Sequence, residues 1–172
     1  MAALQLETTR LFLRPPVEGD LDGWAAFDAD ARATQYFGGP KSRPESWDLM
    51  SKVAGMWALR GGSLFSVIEK SSGRWIGRIG PWMPEGATAE IGWAVLPAEW
   101  GKGYATEGAR AAIDWTIDHL GWTEIIHCID AENTVSIAVA TRLGAQWLRA
   151  DHDDRGKPVQ VYGQTAQHWR SR

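Results

Sequence analysis

Residues 95–108 read Val-Leu-Pro-Ala-Glu-Trp-Gly-Lys-Gly-Tyr-Ala-Thr-Glu-Gly, and their spacing is that of an anion site. An apolar run over residues 90–96 reads as a strand, Gly101 and Gly103 as the turn that ends it, and the chain from about Tyr104 as a helix. Glycines in such a turn let the main chain come close to a ligand, because no Cβ intervenes. The first amides of the helix have no acceptor within it, and its dipole adds partial positive charge there, so the fitting ligand chemistry is phosphate. A Walker A loop is excluded, since Gly103 stands where Ser or Thr must follow Gly-Lys and no glycine stands five residues before Gly101. A dinucleotide fingerprint matches Gly101 and Gly103 but has Thr106 at its third glycine.

The elements that must position this turn alternate along the chain. Residues 11–14 read as a short strand stopped by Pro15 and Pro16. Residues 18–29 fit a helix with Asp20 as cap, and residues 42–60 a second one with Pro44 in its first turn and Gly61-Gly62 at its end. Strands over 63–70, 74–83 and 88–96, separated by turns at 71–73 and 84–86, predict an antiparallel meander. The helix from Tyr104 to Leu120 places Ala105, Ala109, Ala112, Ile113, Ile117 and Leu120 on one face; Gly108 inside it implies close packing. A strand over 124–130 follows, then a helix over 134–143 capped by Asn133 with Gly144 just past its end. Closing strands lie at 146–149 and 159–163, joined by a polar loop.

Composition bounds the rest. A chain of 172 residues is most simply one domain over 1–172. A net charge of −3 gives no basis for nucleic-acid binding by bulk charge. Cys128 is the single cysteine, which excludes an internal disulfide and a Cys-based zinc site, and the four histidines show no metal spacing, so no metal is expected. No run approaches the roughly 20 apolar residues that cross a bilayer. The N-terminus lacks a basic segment followed by an apolar one. The expectation is a soluble, cytoplasmic protein without a membrane partner. Eleven tryptophans are spread without a period, as core, cleft or dimer-face residues, so a homodimer is one expectation. Among the aromatics, Trp24, Tyr36, Phe37, Trp47 and Trp82 are candidates to shape a cleft.

Residues 97–107, Pro-Ala-Glu-Trp-Gly-Lys-Gly-Tyr-Ala-Thr-Glu, are similar to the acyl-CoA pyrophosphate loop of the GNAT acetyltransferases in the form used by the ribosomal-protein N-terminal acetyltransferase branch. Ala98 stands where the family's Arg or Gln precedes the first glycine. The stretch from Asp130 to Ser136 resembles the family's Asn-x-x-Ser block. Leu143-Gly144 resembles its Leu-Gly-Phe with Ala145 in place of Phe, and Thr8 to Arg14 resembles the branch's opening strand. The three blocks stand in the family's order.

That resemblance implies an α/β (α+β) single-domain GNAT fold. It would have a mixed central sheet of about six to seven strands, about four helices, and two splayed central strands holding acyl-CoA. Acetyl-CoA is the implied co-substrate, its pantetheine bonded near Ala94, Val95 and Leu96. Its pyrophosphate would lie on the amides of Gly101, Lys102, Gly103, Tyr104 and Ala105, with Thr106 adding a hydroxyl and Lys102 a charge. Asn133 and Ser136 would contact the pantetheine or acetyl end. Acyl transfer to an amine needs a proton acceptor, for which Glu90 is the candidate, and a donor to the developing oxyanion, for which the Val95 amide is the candidate. Ala140 replaces the family's tyrosine acid, which leaves Ser136 first, then Tyr104 or water, at the leaving thiolate. The implied activity is acetyl transfer to a primary amine: a protein N-terminus, ribosomal ones included, or a small molecule. The alternative is a non-catalytic acyl-CoA sensor on the same fold.

Overall fold

The computed structural model describes residues 4–153 and 155–172. β1 (Leu6–Glu7) and β2 (Leu11–Arg14) lead through a 3-10 turn (Glu18–Asp20) into α1 (Leu21–Ala29), α2 (Ala31–Thr34) and α3 (Arg43–Arg60). The meander follows as β3 (Phe65–Glu69), β4 (Trp75–Trp82) and β5 (Glu90–Val95). A second 3-10 turn (Pro97–Glu99) precedes α4 (Tyr104–Leu120), then β6 (Glu124–Ile129), α5 (Thr134–Arg142), β7 (Gln146–His152), β8 (Pro158–Thr165) and α6 (Ala166–Arg170).

Hydrogen bonding divides these strands into two sheets, ordered β1-β2-β3-β4-β5 and β6-β8-β7. Among the described residues there are eight strands where about six to seven were expected, the break between β5 and β6 is the expected splay, and every ladder is antiparallel, so the sheet is not mixed by direct pairing. The two sheets meet at one end of the break through side chains. Glu90 accepts the Cys128 amide at 2.7 Å, and His127 Nδ1 lies 2.8 Å from the Ile91 carbonyl. Beyond that point β5 runs into the glycine turn and β6 into α5. The helix count exceeds the expected four because α2 and α6 span only four and five residues, too short to show a hydrophobic period.

Local chemistry sets most boundaries. Ser42 and Glu45 close a reciprocal capping box on α3, and Gly61 ends it at φ 73°. Asn133 caps α5, its side-chain oxygen accepting the Ser136 amide at 3.1 Å. Asp20 stands at the expected N-cap position of α1, but its side chain makes no cap hydrogen bond there. Its carboxylate instead takes both Arg14 guanidinium nitrogens at 2.7 Å and the Val17 amide at 3.0 Å, because a bidentate arginine outcompetes a helix terminus.

The main core forms where α4 lies on β4 and β5, with Ile79, Ile91, Ala109, Ile113 and Val95 all buried. Burying each isoleucine contributes about 1.5–3 kcal/mol. Gly108 makes room for this contact, since a Cβ there would stand 2.6 Å from Ile79 Cδ1 and the isoleucine tip would have to shift. A second cluster under α1 and α3 holds Trp24, Met50, Val53, Met56 and Leu64. A buried ion pair ties α1 to β4: Arg78 donates to Asp28 at 2.8 Å, Ser46 donates to the same carboxylate at 2.8 Å, and the guanidinium lies 4.5 Å from the Trp24 ring. Among the described residues no helix is long and apolar enough to cross a membrane.

Candidate active site

The break between β5 and β6 exposes one edge of β5. In an antiparallel ladder alternate residues present their N–H and C=O to the same neighbour. The Leu96 amide donates to Ile76 at 2.9 Å on the β4 side, so the Val95 amide, one residue earlier, faces the break. By the same alternation the main-chain groups of Ala94 and Leu96 face β4, and the Leu96 carbonyl accepts the Glu99 amide at 2.9 Å, so of the three expected pantetheine contacts Val95 is the one whose amide faces the break. The Val95 carbonyl accepts the Trp100 indole N–H at 2.8 Å.

The turn leading out of β5 takes the left-handed conformation twice, at Gly101 (φ 77°) and Gly103 (φ 81°), where a side chain would be strained. Gly103 is the N-cap of α4 and supplies no side-chain acceptor, so the first amides of α4 keep their donors. The outer side of the turn is held by charges. Arg10 donates to the Lys102 carbonyl at 2.9 Å, pairs with Glu107, and lies 4.4 Å over the Tyr104 ring. The Lys102 ammonium is 2.6 Å from Glu99, a buried carboxylate also bound by Arg74 at 2.9 Å. Lys102, aided by Arg74, holds the Glu99 carboxyl below the usual range. The Tyr104 hydroxyl donates to Glu69 at 2.5 Å, which pushes its pKa up and directs it away from the cleft.

Two adjoining cavities of about 140 Å³ each open in the break. The first is walled by Ala94, Val95, Trp100, Ala105, Val139 and the start of α5. The second is walled by Glu90, Ile91, His127, Asp130, Asp153 and Val159. Tyr36, Phe37, Trp93, Asn133 and Ser136 line both. Of the sequence-derived candidates, Ala94, Val95, Ala105, Asn133 and Ser136 therefore meet in the first cavity, and Glu90 faces the second. Gly101, Lys102, Gly103, Tyr104 and Thr106 lie in the turn and first helical turn, off the cavity wall.

The electrostatics of the second cavity are mixed. Asp130 is paired with Lys157 and Asp153 with Arg155, and Lys157 holds Asp130 below its ordinary pKa. Burial, with the Glu90 carboxylate beside it, pushes the Cys128 thiol up to about 12, so it supplies no thiolate near neutral pH. His127 is 1% exposed, and burial pushes its pKa down to about 4. It is neutral, its Nδ1–H given to Ile91.

Several of these residues escaped sequence reasoning. Trp93 and His127 carried no motif, Trp100 stood in the loop motif without an assigned role, and Arg10 lies 92 residues from the carbonyl it holds. Of the aromatic candidates, Tyr36 and Phe37 line the cleft, while Trp24 is fully buried in the second core cluster. Trp47 stands apart at 42% exposure, and Trp82 lies near Glu90 in a separate small cavity. Ala140 and Ala145 are both buried, and Trp93 and Tyr162 pack against them where the family carries Tyr and Phe.

The break between β5 and β6 is thus closed at one end by a helix N-terminus without a side-chain cap and bordered by a carboxylate. The chain belongs to the GNAT acetyltransferases: residues 10–146 match the Acetyltransferase (GNAT) domain family. It is 30% identical over 164 residues to a Bacillus licheniformis protein, "Uncharacterized N-acetyltransferase p20", covering 91% of this chain and 92% of that one. It matches the crystal structure of the acetyltransferase from Agrobacterium tumefaciens str. C58 with TM-score 0.84 and 27% identity, covering 95% of each chain. Mycobacterium smegmatis RimJ, solved in complex with CoA-disulfide, shares the fold with TM-score 0.69 and 20% identity over 92% of this chain and 83% of that one. The protein is an acetyltransferase, and its family uses acetyl-CoA.

Proposed function

We propose that the enzyme moves the acetyl group of acetyl-CoA directly to a primary amine where the two cavities meet. One observation carries this reading: Trp93, Asn133 and Ser136 line both cavities, so the donor and acceptor spaces share a single boundary. The α4 amides lie on the donor side and Glu90 on the acceptor side. The first cavity suits pantetheine, with the Val95 amide facing the break, and the glycine turn suits pyrophosphate. Gly101, Lys102, Gly103, Tyr104 and Ala105 contribute through their amides and Thr106 through its hydroxyl.

The amine reaches Glu90, directly or through one water, as an ammonium and gives up a proton. Its nitrogen lone pair then attacks the thioester carbonyl carbon. As the C–N bond forms, the carbonyl oxygen gains charge, which the Val95 amide stabilises. The nitrogen, now positively charged, gives its second proton to water or to the departing sulfur; the C–S bond breaks with its electron pair on sulfur, and Ser136 supplies the nearby hydroxyl. Cys128 takes no part as an acyl carrier, since its thiol stays protonated. Acceptors that fit an aromatic wall with the Glu90 carboxylate on it are primary amines: the N-terminal amine of a protein, ribosomal ones included, or a small-molecule amine.

The test is thiol release from acetyl-CoA against N-terminal peptides, polyamines, aminoglycosides and amino acids. Turnover with at least one amine is expected. Glu90→Gln should lower kcat by about 100-fold or more while CoA affinity, measured by calorimetry, changes less than about twofold. Binding of CoA without turnover across the panel would point to the sensor alternative instead.

A further inference from the structure

We infer that Trp93 is the positioning residue that leaves the Ser136 hydroxyl as a hydrogen-bond donor to the leaving sulfur; this rests on the direct-transfer reading above. The Trp93 indole N–H lies 3.3 Å from Ser136 Oγ. An indole can only donate, so the serine oxygen must accept this bond, and its single O–H is left to give elsewhere. Among the described residues no acceptor in the protein takes that proton.

Both partners are held in place. The Ser136 backbone is fixed by the Asn133 cap at 3.1 Å. The Trp93 ring packs on the His127 ring, with centroids 4.9 Å apart, and the imidazole is pinned by its bond to Ile91. His127 is fully buried, so the ring that Trp93 packs on is enclosed by the fold. Ala140 offers no hydroxyl, and the Tyr104 hydroxyl is engaged by Glu69. Trp93 and Ser136 sit on the boundary between the cavities, where a thioester bridging them would place its sulfur. The donor need not transfer its proton. A hydrogen bond to the thiolate stabilises the electron pair that sulfur keeps when the C–S bond breaks.

The consequence is readable without knowing the acceptor. A donor to sulfur should lower the thiol pKa of CoA bound to the enzyme, measured by ultraviolet thiolate absorbance during a pH titration. Cys128, with its pKa pushed up to about 12, stays silent over that range. Trp93→Phe keeps the ring and removes the N–H. We expect Ser136→Ala and Trp93→Phe each to raise the bound thiol pKa by about one unit, a tenfold change in the thiolate-to-thiol ratio. The double variant should shift it no further than either single one. A normal pKa in Trp93→Phe alongside a raised one in Ser136→Ala overturns the role of Trp93. Unshifted pKa values in both, with CoA bound, overturn the Ser136 reading itself, and loss of CoA binding to the unsubstituted protein overturns the donor site. Should Trp93→Phe fail to fold, the Trp93 indole proton resonance reads the same bond: Ser136→Ala should move it upfield, and an unmoved signal overturns the inference.

Discussion

Acid should weaken this protein through one buried imidazole, and the size of the effect can be worked out. His127 would titrate at 6.5 when unfolded, and burial pushes it down to about 4 in the native state, with the Ile91 carbonyl pulling weakly the other way. Above pH 6.5 the imidazole is neutral in both states, and its contribution is fully present. Between 6.5 and about 4 the unfolded chain binds a proton that the native protein does not. Unfolding is therefore favoured as pH falls, by about 1.4 kcal/mol per unit. The whole window is worth roughly 3 kcal/mol, a large share of the 5–15 kcal/mol typical of a domain. Paired carboxylates also lose stability in acid, Asp130 beside Lys157 among them, so the assay needs a difference. Urea unfolding of the natural chain and of His127→Phe, at several values between pH 7 and 4.5, isolates the histidine. The variant loses the bond to Ile91, an offset that does not depend on pH. The stability gap between the two proteins should move by about 2–3 kcal/mol in favour of the variant as pH falls through this window. A gap constant with pH would refute the claim that His127 stays neutral in the fold. Because Trp93 leans on this ring, loss of activity in acid should track loss of fold.

Gly103→Asp should cost about 1 kcal/mol of stability through its left-handed backbone and reduce acetyl-CoA affinity by at least about tenfold. Calorimetry reads that loss, and unchanged affinity removes the phosphate turn. Arg78→Met should cost about 3–5 kcal/mol in denaturant unfolding by leaving Asp28 buried without its cation. Adding Asp28→Leu should recover most of the loss, and a second loss of similar size would mean the pair is not the cause. Cys128 should resist alkylation at pH 8 in the folded enzyme and react once unfolded, followed by mass spectrometry; rapid labelling of the native chain would contradict its raised pKa.

The turn was legible because its signal is local. Gly101 and Gly103 mark left-handed positions, Asn133 marks a helix start, and the α4 face repeats at helical spacing. All of these depend on neighbours within a few residues. The β7 and β8 strands ran longer than their apolar runs suggested, since pairing with each other extends them past their hydrophobic residues. The two-residue β1 left no pattern to read.

What the chain alone determined is the order of elements, the left-handed glycine turn ahead of α4 and the family its blocks resemble. Tertiary structure decided which groups face one another. The amide of Val95 faces the break and that of Leu96 does not, because the β4 ladder fixes the alternation. Trp93 meets Ser136 across 43 residues, Arg10 holds a turn 92 residues away, and Asp28 finds Arg78 across 50. Such pairings arise from packing of whole elements around a shared core, and no short-range periodicity encodes them.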